Sequence, residues 1–242
     1  MDEESVCTCF RSVVHDVVSE FELMSRLKGT TNIVSYEDHA VVPHSDGIGW
    51  DVIIRMELLT PMLDYMSKHN MTRADIIQLG IDMCKALEIC QRYNIIHRDI
   101  KPENIFINDF GYFKLGDFGI ARKLENATGG LSQKGTYNYM APEVAKGEKY
   151  DARTDIYSLG IVIYEMLTGK LPFESESPIA IAMKHLDEVP VPPKTLSPDI
   201  LDELQDIVLK AISTPLAFWS VLKTSVAAPK SSIPPPEISP RE

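Results

Sequence analysis

The sequence predicts an α+β chain in two parts, a small β-containing segment and a larger, mainly helical body. Three observations carry this. Short strand-like apolar runs cluster between residues 33 and 57. From Pro61 onward apolar side chains recur mostly at helical spacing. Asp155–Thr168 is apolar on nearly every side, as a helix buried in the middle of a body would be. The 242 residues are 44% apolar and 24% charged, ordinary for a soluble globular chain. A net charge of −11 excludes a general binder of nucleic acid or anionic membrane, since both are polyanions, but permits a local anion site.

Taken in order, Val13, Val14, Val17, Val18, Phe21, Met24 and Leu27 step by three and four and predict a helix over 13–27, with Gly29 as its stop. Ile33–Glu37, Ala40–Val42 and Asp51–Glu57 read as strands, with an Asp46-Gly47 turn between the last two. Thr72 with Asp75 forms a capping-box pattern opening a helix that runs to about Tyr93. Ile105–Ile107 and Phe113–Leu115 flank Asn108-Asp-Phe-Gly111, a hairpin pattern. Gly169 and Pro172 end the buried helix. Ser177-Pro178 and Ser197-Pro198 each place a cap before a first-turn proline, opening helices of roughly 8 and 15 residues. After Ile212 the character changes, and five prolines between 229 and 240 mark an extended or disordered tail.

No apolar run approaches the ~20 residues of a membrane span, and the N-terminus is acidic where a signal peptide would be basic. The chain therefore reads as cytoplasmic. Four cysteines without zinc-ligand spacing read as free thiols in a reducing compartment.

The chemistry concentrates in His97-Arg-Asp-Ile-Lys-Pro-Glu-Asn104, followed by Asp117-Phe-Gly119 and Ala141-Pro-Glu143. Asp99 and Asn104 lie five residues apart across a proline, hence on a loop. Asp117 follows a strand and precedes a glycine that permits a sharp turn. Two carboxylates, an amide and a lysine at strand ends suit a magnesium–phosphate site, because magnesium takes oxygen ligands and shares them with substrate phosphates. Lys101 can neutralise charge on a transferring phosphoryl group. A loop aspartate can orient a hydroxyl and accept its proton.

These segments, with Leu115-Gly-Asp-Phe-Gly, Gly135-Thr-x-x-Tyr-Met-Ala-Pro-Glu143 and Asp155-Ile-Tyr-Ser-Leu-Gly160, resemble in order and spacing the eukaryotic-type (Hanks-type) serine/threonine protein kinases, in their bacterial form, over about residues 12 to 212. The resemblance implies a two-lobe protein-kinase-like fold, ATP and Mg2+ as cofactors, and protein substrates. It implies Asp99 as catalytic base, Lys101 as the phosphate-facing lysine favouring Ser/Thr acceptors, and Asn104 and Asp117 as metal ligands. Glu20 matches the helix glutamate that pairs with a strand lysine. Met56 falls at the gatekeeper position, and Glu57 and Leu59 offer hinge backbone groups to adenine. Thr136 matches a bridge between substrate loop and catalytic loop, and Asp155 the anchor of the catalytic loop. Arg98 implies regulation by phosphorylation in the activation segment, where Thr128 and Ser132 lie.

The sequence departs from the family at both ends. Its first lysine is Lys28 and its first glycine Gly29, so the glycine-rich loop and the strand lysine expected before the helix are missing, and the small β lobe reads as truncated. Past Arg153 the only arginine is Arg241, which leaves Glu143 without the arginine that the family provides. The expected organisation is a partial small lobe over 1–59, a large lobe over 60–213 with the catalytic loop and activation segment, and a divergent Pro-rich tail over 214–242. The expected function is transfer of the γ-phosphoryl group of MgATP to protein Ser/Thr hydroxyls, by a fragment of impaired activity. The alternative is a catalytically inactive pseudokinase that binds proteins as a scaffold. A small-molecule phosphotransferase shares the aspartate–asparagine loop, but the Thr136 and Ala141–Glu143 elements argue against it. Self-association stays open.

Overall fold

In a computed structural model, which describes residues 25, 27–44, 49–118, 134–148 and 151–213, the polypeptide starts from a β-ribbon and continues into a helical body. The expected helix over 13–27, the Asp46-Gly47 turn and the tail beyond 213 lie outside these residues, apart from Ser25 and Leu27. Strand β1 (Tyr36–Pro43) pairs antiparallel with β2 (Trp50–Met56), from Tyr36 opposite Met56 to Pro43 opposite Trp50. A register shift falls between Tyr36 and Asp38. The two strands expected at 33–37 and 40–42 are thus one. Cross-strand pairing carries the polar Asp38-His39 step, which alternation of side chains does not support, while Ile33 makes only an isolated bridge to Leu115.

A second, three-stranded antiparallel sheet joins β3 (Thr60–Pro61), β4 (Ile105–Ile107) and β5 (Phe113–Leu115). Its β4–β5 connection is the expected Asn108–Gly111 turn. The Asn108 carboxamide oxygen accepts from the amides of Phe110 and Tyr112, and Gly111 takes a positive φ of 81°. The segment before β1 is laced onto β5: Val34 N–H donates to Leu115 O, and Leu115 N–H to Asn32 O, both at 2.9 Å. This lacing joins the ribbon to the strand that carries Asp117.

Helices make up the rest. A short α1 (Met62–Lys68) precedes α2 (Arg73–Arg92). The capping box that opens α2 is complete: the Asp75 amide donates to the Thr72 hydroxyl at 3.3 Å, and the Thr72 amide to the Asp75 carboxylate at 2.7 Å. Its inner face, Ile76, Leu79, Met83, Ala86, Leu87 and Cys90, repeats at steps of three and four. Then come α3 (Pro142–Ala145), α4 (Arg153–Thr168), α5 (Pro178–Asp187), α6 (Pro193–Leu196) and α7 (Asp202–Ser213). Helix α4 is the expected central helix. Residues 154–164 are all buried, and Gly169 closes it in the left-handed region at φ 69°. The last helix starts at Asp202 rather than at Pro198. Ser197 ends α6 with extended backbone, and the Ser197–Ile200 turn drives Ile200 into the core at 2% exposure before α7 begins.

Helix α4 and α7 approach so closely that Gly160 has no room for a side chain. A Cβ there would stand 2.8 Å from both Ala211 Cβ and Ile212 Cγ2. Gly160→Ala is expected to lower stability by about 1–3 kcal/mol, because the helix pair must separate. Urea unfolding of the two proteins reads this, and an unchanged midpoint would contradict the packing. Cys84 and Cys90 are free thiols, and burial pushes both up to about 12, which leaves them as inert packing groups.

Candidate active site

The site is assembled where α2 ends, β4 and β5 begin and end, and α4 starts. After α2 the chain leaves through Asn94 at φ 55° and continues without regular structure through Ile95 to His97. Arg98 lies at φ 68°, unusual for a residue with a Cβ and held only when its surroundings enforce it. The enforcing group is Asp155, near the start of α4. Its Oδ2 accepts the His97 amide and its Oδ1 the Arg98 amide, each at 2.8 Å. Burial lifts the Asp155 carboxyl above the usual carboxylate range, opposed by His97, by the two amides and by Arg98. His97 is itself buried. Its Nε2 lies 3.0 Å from Gly116 O, and its ring meets Phe118 edge-on at 4.7 Å.

The turn that Asp155 fixes presents Asp99. Asp99 Oδ2 is 3.0 Å from Lys101 Nζ and accepts from Asn104 Nδ2 at 3.1 Å. Asn104 Nδ2 also donates to Asp99 O at 2.7 Å. The two donors orient the carboxylate in a pocket where all three side chains are largely buried. Because Asn104 Nδ2 is spent on Asp99, the carboxamide turns its oxygen the other way. Asp117 follows β5 in the left-handed region at φ 53°, and the Gly116 amide donates to Asn104 O at 2.9 Å, which brings the two segments together. A Cβ on Gly116 would stand 2.8 Å from Phe106 and from Val34, so this approach needs glycine. An amide oxygen and an exposed carboxylate are the hard donors that magnesium prefers, so Asn104 and Asp117 fit that ion.

Of the other expected residues, Met56 ends β2 half-exposed, and Leu59 stands just before β3. The Glu57 amide donates to Ser35 O at 3.0 Å. The Glu57 carboxylate Oε1 accepts from Lys114 Nζ at 2.6 Å and from the Ser35 amide at 2.5 Å. This knot ties the segment after β2 to β5, three residues before Asp117. Nothing in the sequence pattern singled out Lys114, beyond a lysine set between buried Phe113 and Leu115. Asp82 was missed as well. Fully buried on the apolar stripe of α2, its carboxylate accepts from Gln78, from Lys85 and from the Phe113 amide, fixing the helix to β5. A carboxylate on that stripe was the signal available.

The Gly135–Tyr139 stretch lies in a 3-10 turn, Lys134–Tyr139, which includes the backbone of Thr136. Ser158 Oγ donates to Tyr139 O and the Tyr139 hydroxyl to Glu165, both at 2.7 Å. Burial raises the pKa of both Tyr139 and Glu165. Met140, Ala141 and Val144 line a small cleft together with Arg98 and Asp99. Glu143 is half-buried, and the Thr154 hydroxyl donates to it at 2.7 Å. Glu20, Thr128 and Ser132 lie outside the described residues.

Behind the turn, His185 of α5 is buried against Tyr157, and burial pushes its imidazole down to about 4. The unfolded chain, with an ordinary histidine near 6.5, therefore binds a proton between these values that the folded chain refuses. Stability from this group is complete above pH ~6.5 and falls as pH drops toward ~4, by up to about 3 kcal/mol. Urea unfolding at pH 7 and pH 5 is expected to show a loss in the wild type that shrinks in His185→Gln. An equal loss in both would contradict it.

A family profile described as protein kinase domain matches residues 4–218. The chain is 45% identical over 138 residues to a probable serine/threonine-protein kinase of Clostridium perfringens, covering 56% of this chain and 20% of that protein. It is 46% identical over 141 residues to the serine/threonine-protein kinase PknB of Mycolicibacterium smegmatis, covering 57% and 23%. It is 42% identical over 147 residues to PknB of Mycobacterium tuberculosis, covering 59% and 24%. The chain thus aligns with less than a quarter of the length of each of these relatives. Among the described residues no helix is long and apolar enough to cross a membrane.

Proposed function

The chain belongs to the protein kinase family, and from that premise we propose that it transfers the γ-phosphoryl group of ATP to serine and threonine hydroxyls of protein substrates. The observation that carries the reading is the Asp99–Lys101–Asn104 cluster, oriented from α4 by Asp155 and brought beside Asp117 by β5. Asp99 orients the acceptor hydroxyl and takes its proton as the oxygen attacks phosphorus and the bond to the ADP oxygen breaks. Lys101, against Asp99, places a positive charge where the transferring group gains negative charge. Asn104 and Asp117 hold magnesium, which when bound neutralises phosphate charge. The Glu57 carbonyl and Leu59 meet the adenine beside Met56. Arg98 receives a phosphate carried on Thr128 or Ser132, and Thr136 and Glu143 shape the loop that seats the substrate.

That the relatives are serine/threonine-protein kinases supports serine and threonine as acceptors, as does Lys101. The second reading is a catalytically inactive scaffold that binds proteins. Calorimetric titration with ATP discriminates at the first step. Binding is expected to require Mg2+, and Asp117→Asn to weaken it roughly tenfold to a hundredfold. Binding indifferent to Mg2+ and to Asp117 would remove the phosphoryl-transfer reading.

A further inference from the structure

We propose that His185 is a positioning residue whose Nε2–H tethers the backbone carbonyls of Tyr137 and Asn138, and with them the substrate-side turn, to α5. The consequence for substrate rests on the kinase reading above; the tether itself does not. His185 is 5% exposed and clamped between aromatic rings, edge-on to Tyr157 at 5.7 Å and to Phe173 at 4.8 Å. Its Nδ1 lies 2.8 Å from the Tyr157 hydroxyl. Its Nε2 is buried and, among the described residues, is the one such side-chain atom without a hydrogen-bond partner.

The tautomer follows from the surroundings. Burial keeps the ring neutral, so only one nitrogen carries hydrogen. Helix α5 packs directly against the 134–139 turn, which carries the Tyr137 and Asn138 carbonyls. A lone pair directed at carbonyl oxygens would be repelled, whereas an N–H is attracted. The hydrogen therefore sits on Nε2, and the Tyr157 hydroxyl donates to Nδ1. A buried N–H without an acceptor is costly, and the carbonyls beside it are those of the turn itself. A small shift of the turn completes the bond.

That turn matters because it leads into the cleft wall. Tyr139 is pinned by Ser158 and Glu165, and Met140 and Ala141 line the same cleft as Asp99. His185 thus acts on the substrate side of Asp99 through Tyr137–Tyr139, without touching substrate.

Two side chains separate the halves of the ring. Asparagine reaches the Nδ1 position only, and glutamine the Nε2 position. In wild type, 15N–1H correlation spectra of the imidazole are expected to show the Nε2–H tautomer. In hydrogen exchange, His185→Asn is expected to speed exchange of amides in 134–141 by about tenfold, while His185→Gln restores near wild-type protection. With activity measured alongside, His185→Asn raises KM for protein substrate and leaves KM for ATP unchanged. A chain without kinase activity leaves the exchange and tautomer results intact, so failure of the kinase reading is told apart from failure of the tether. An Nδ1–H tautomer, or equal protection in wild type and His185→Asn, would overturn the proposal, and the tautomer measurement needs no variant to fold.

Discussion

Asp155→Ala is expected to destabilise the fold by about 3–5 kcal/mol, the largest loss of any single side chain discussed. The carboxylate is 2% exposed and is the acceptor for the His97 and Arg98 amides. Without it two backbone donors lose their partner, one in the buried stretch at His97 and one at a residue held at φ 68°. Each unsatisfied donor costs about 1–3 kcal/mol, and the strained Arg98 backbone loses the contact that fixes it. Asp155→Asn keeps one accepting oxygen and is expected to recover part of the loss. Urea midpoints for the three proteins check this. Equal stability in all three would mean that the catalytic loop is held by something other than α4.

Asp99→Asn is expected to leave folding and MgATP affinity within about twofold of wild type and to lower phosphoryl transfer by 10²- to 10⁴-fold, on the order found for loss of a positioned general base. Asparagine preserves the size of the side chain and an oxygen toward Lys101 Nζ and Asn104 Nδ2, the two donors that fix Asp99 Oδ2. It does not preserve a group that takes a proton from a hydroxyl. A variant whose rate matches wild type would move the base elsewhere. A variant that no longer binds MgATP would make Asp99 part of the nucleotide site rather than of the acceptor site.

Much of this architecture was legible in the sequence where local chemistry decides it. Thr72 and Asp75 cap α2 from within three residues, Gly169 closes α4, and Asn108 organises the β4–β5 turn. Local signals failed where distant contacts dominate. Ser197-Pro198 carries the local pattern of a helix start, yet burial of Ile200 delays α7 to Asp202. The polar step at Asp38-His39 suggests a break, yet pairing with β2 runs through it. The candidate site divides in the same way. Asp99, Lys101 and Asn104 sit within one short motif and announce themselves. The groups that frame the site pair across 57 residues, as Glu57 with Lys114 and Arg98 with Asp155, or across 28, as Tyr157 with His185. No periodicity marks such partners. Thr154 is a further instance, a hydroxyl 11 residues on that donates to Glu143.

The direct test is label transfer. The chain is incubated with Mg2+ and γ-labelled ATP in the presence of a protein substrate, beside Asp99→Asn, and the labelled residue is identified after acid hydrolysis. The account predicts label on phosphoserine and phosphothreonine with wild type and little or none with Asp99→Asn. No transfer by a folded wild-type chain that binds MgATP, or equal label from both proteins, would contradict it and leave the scaffold reading in its place.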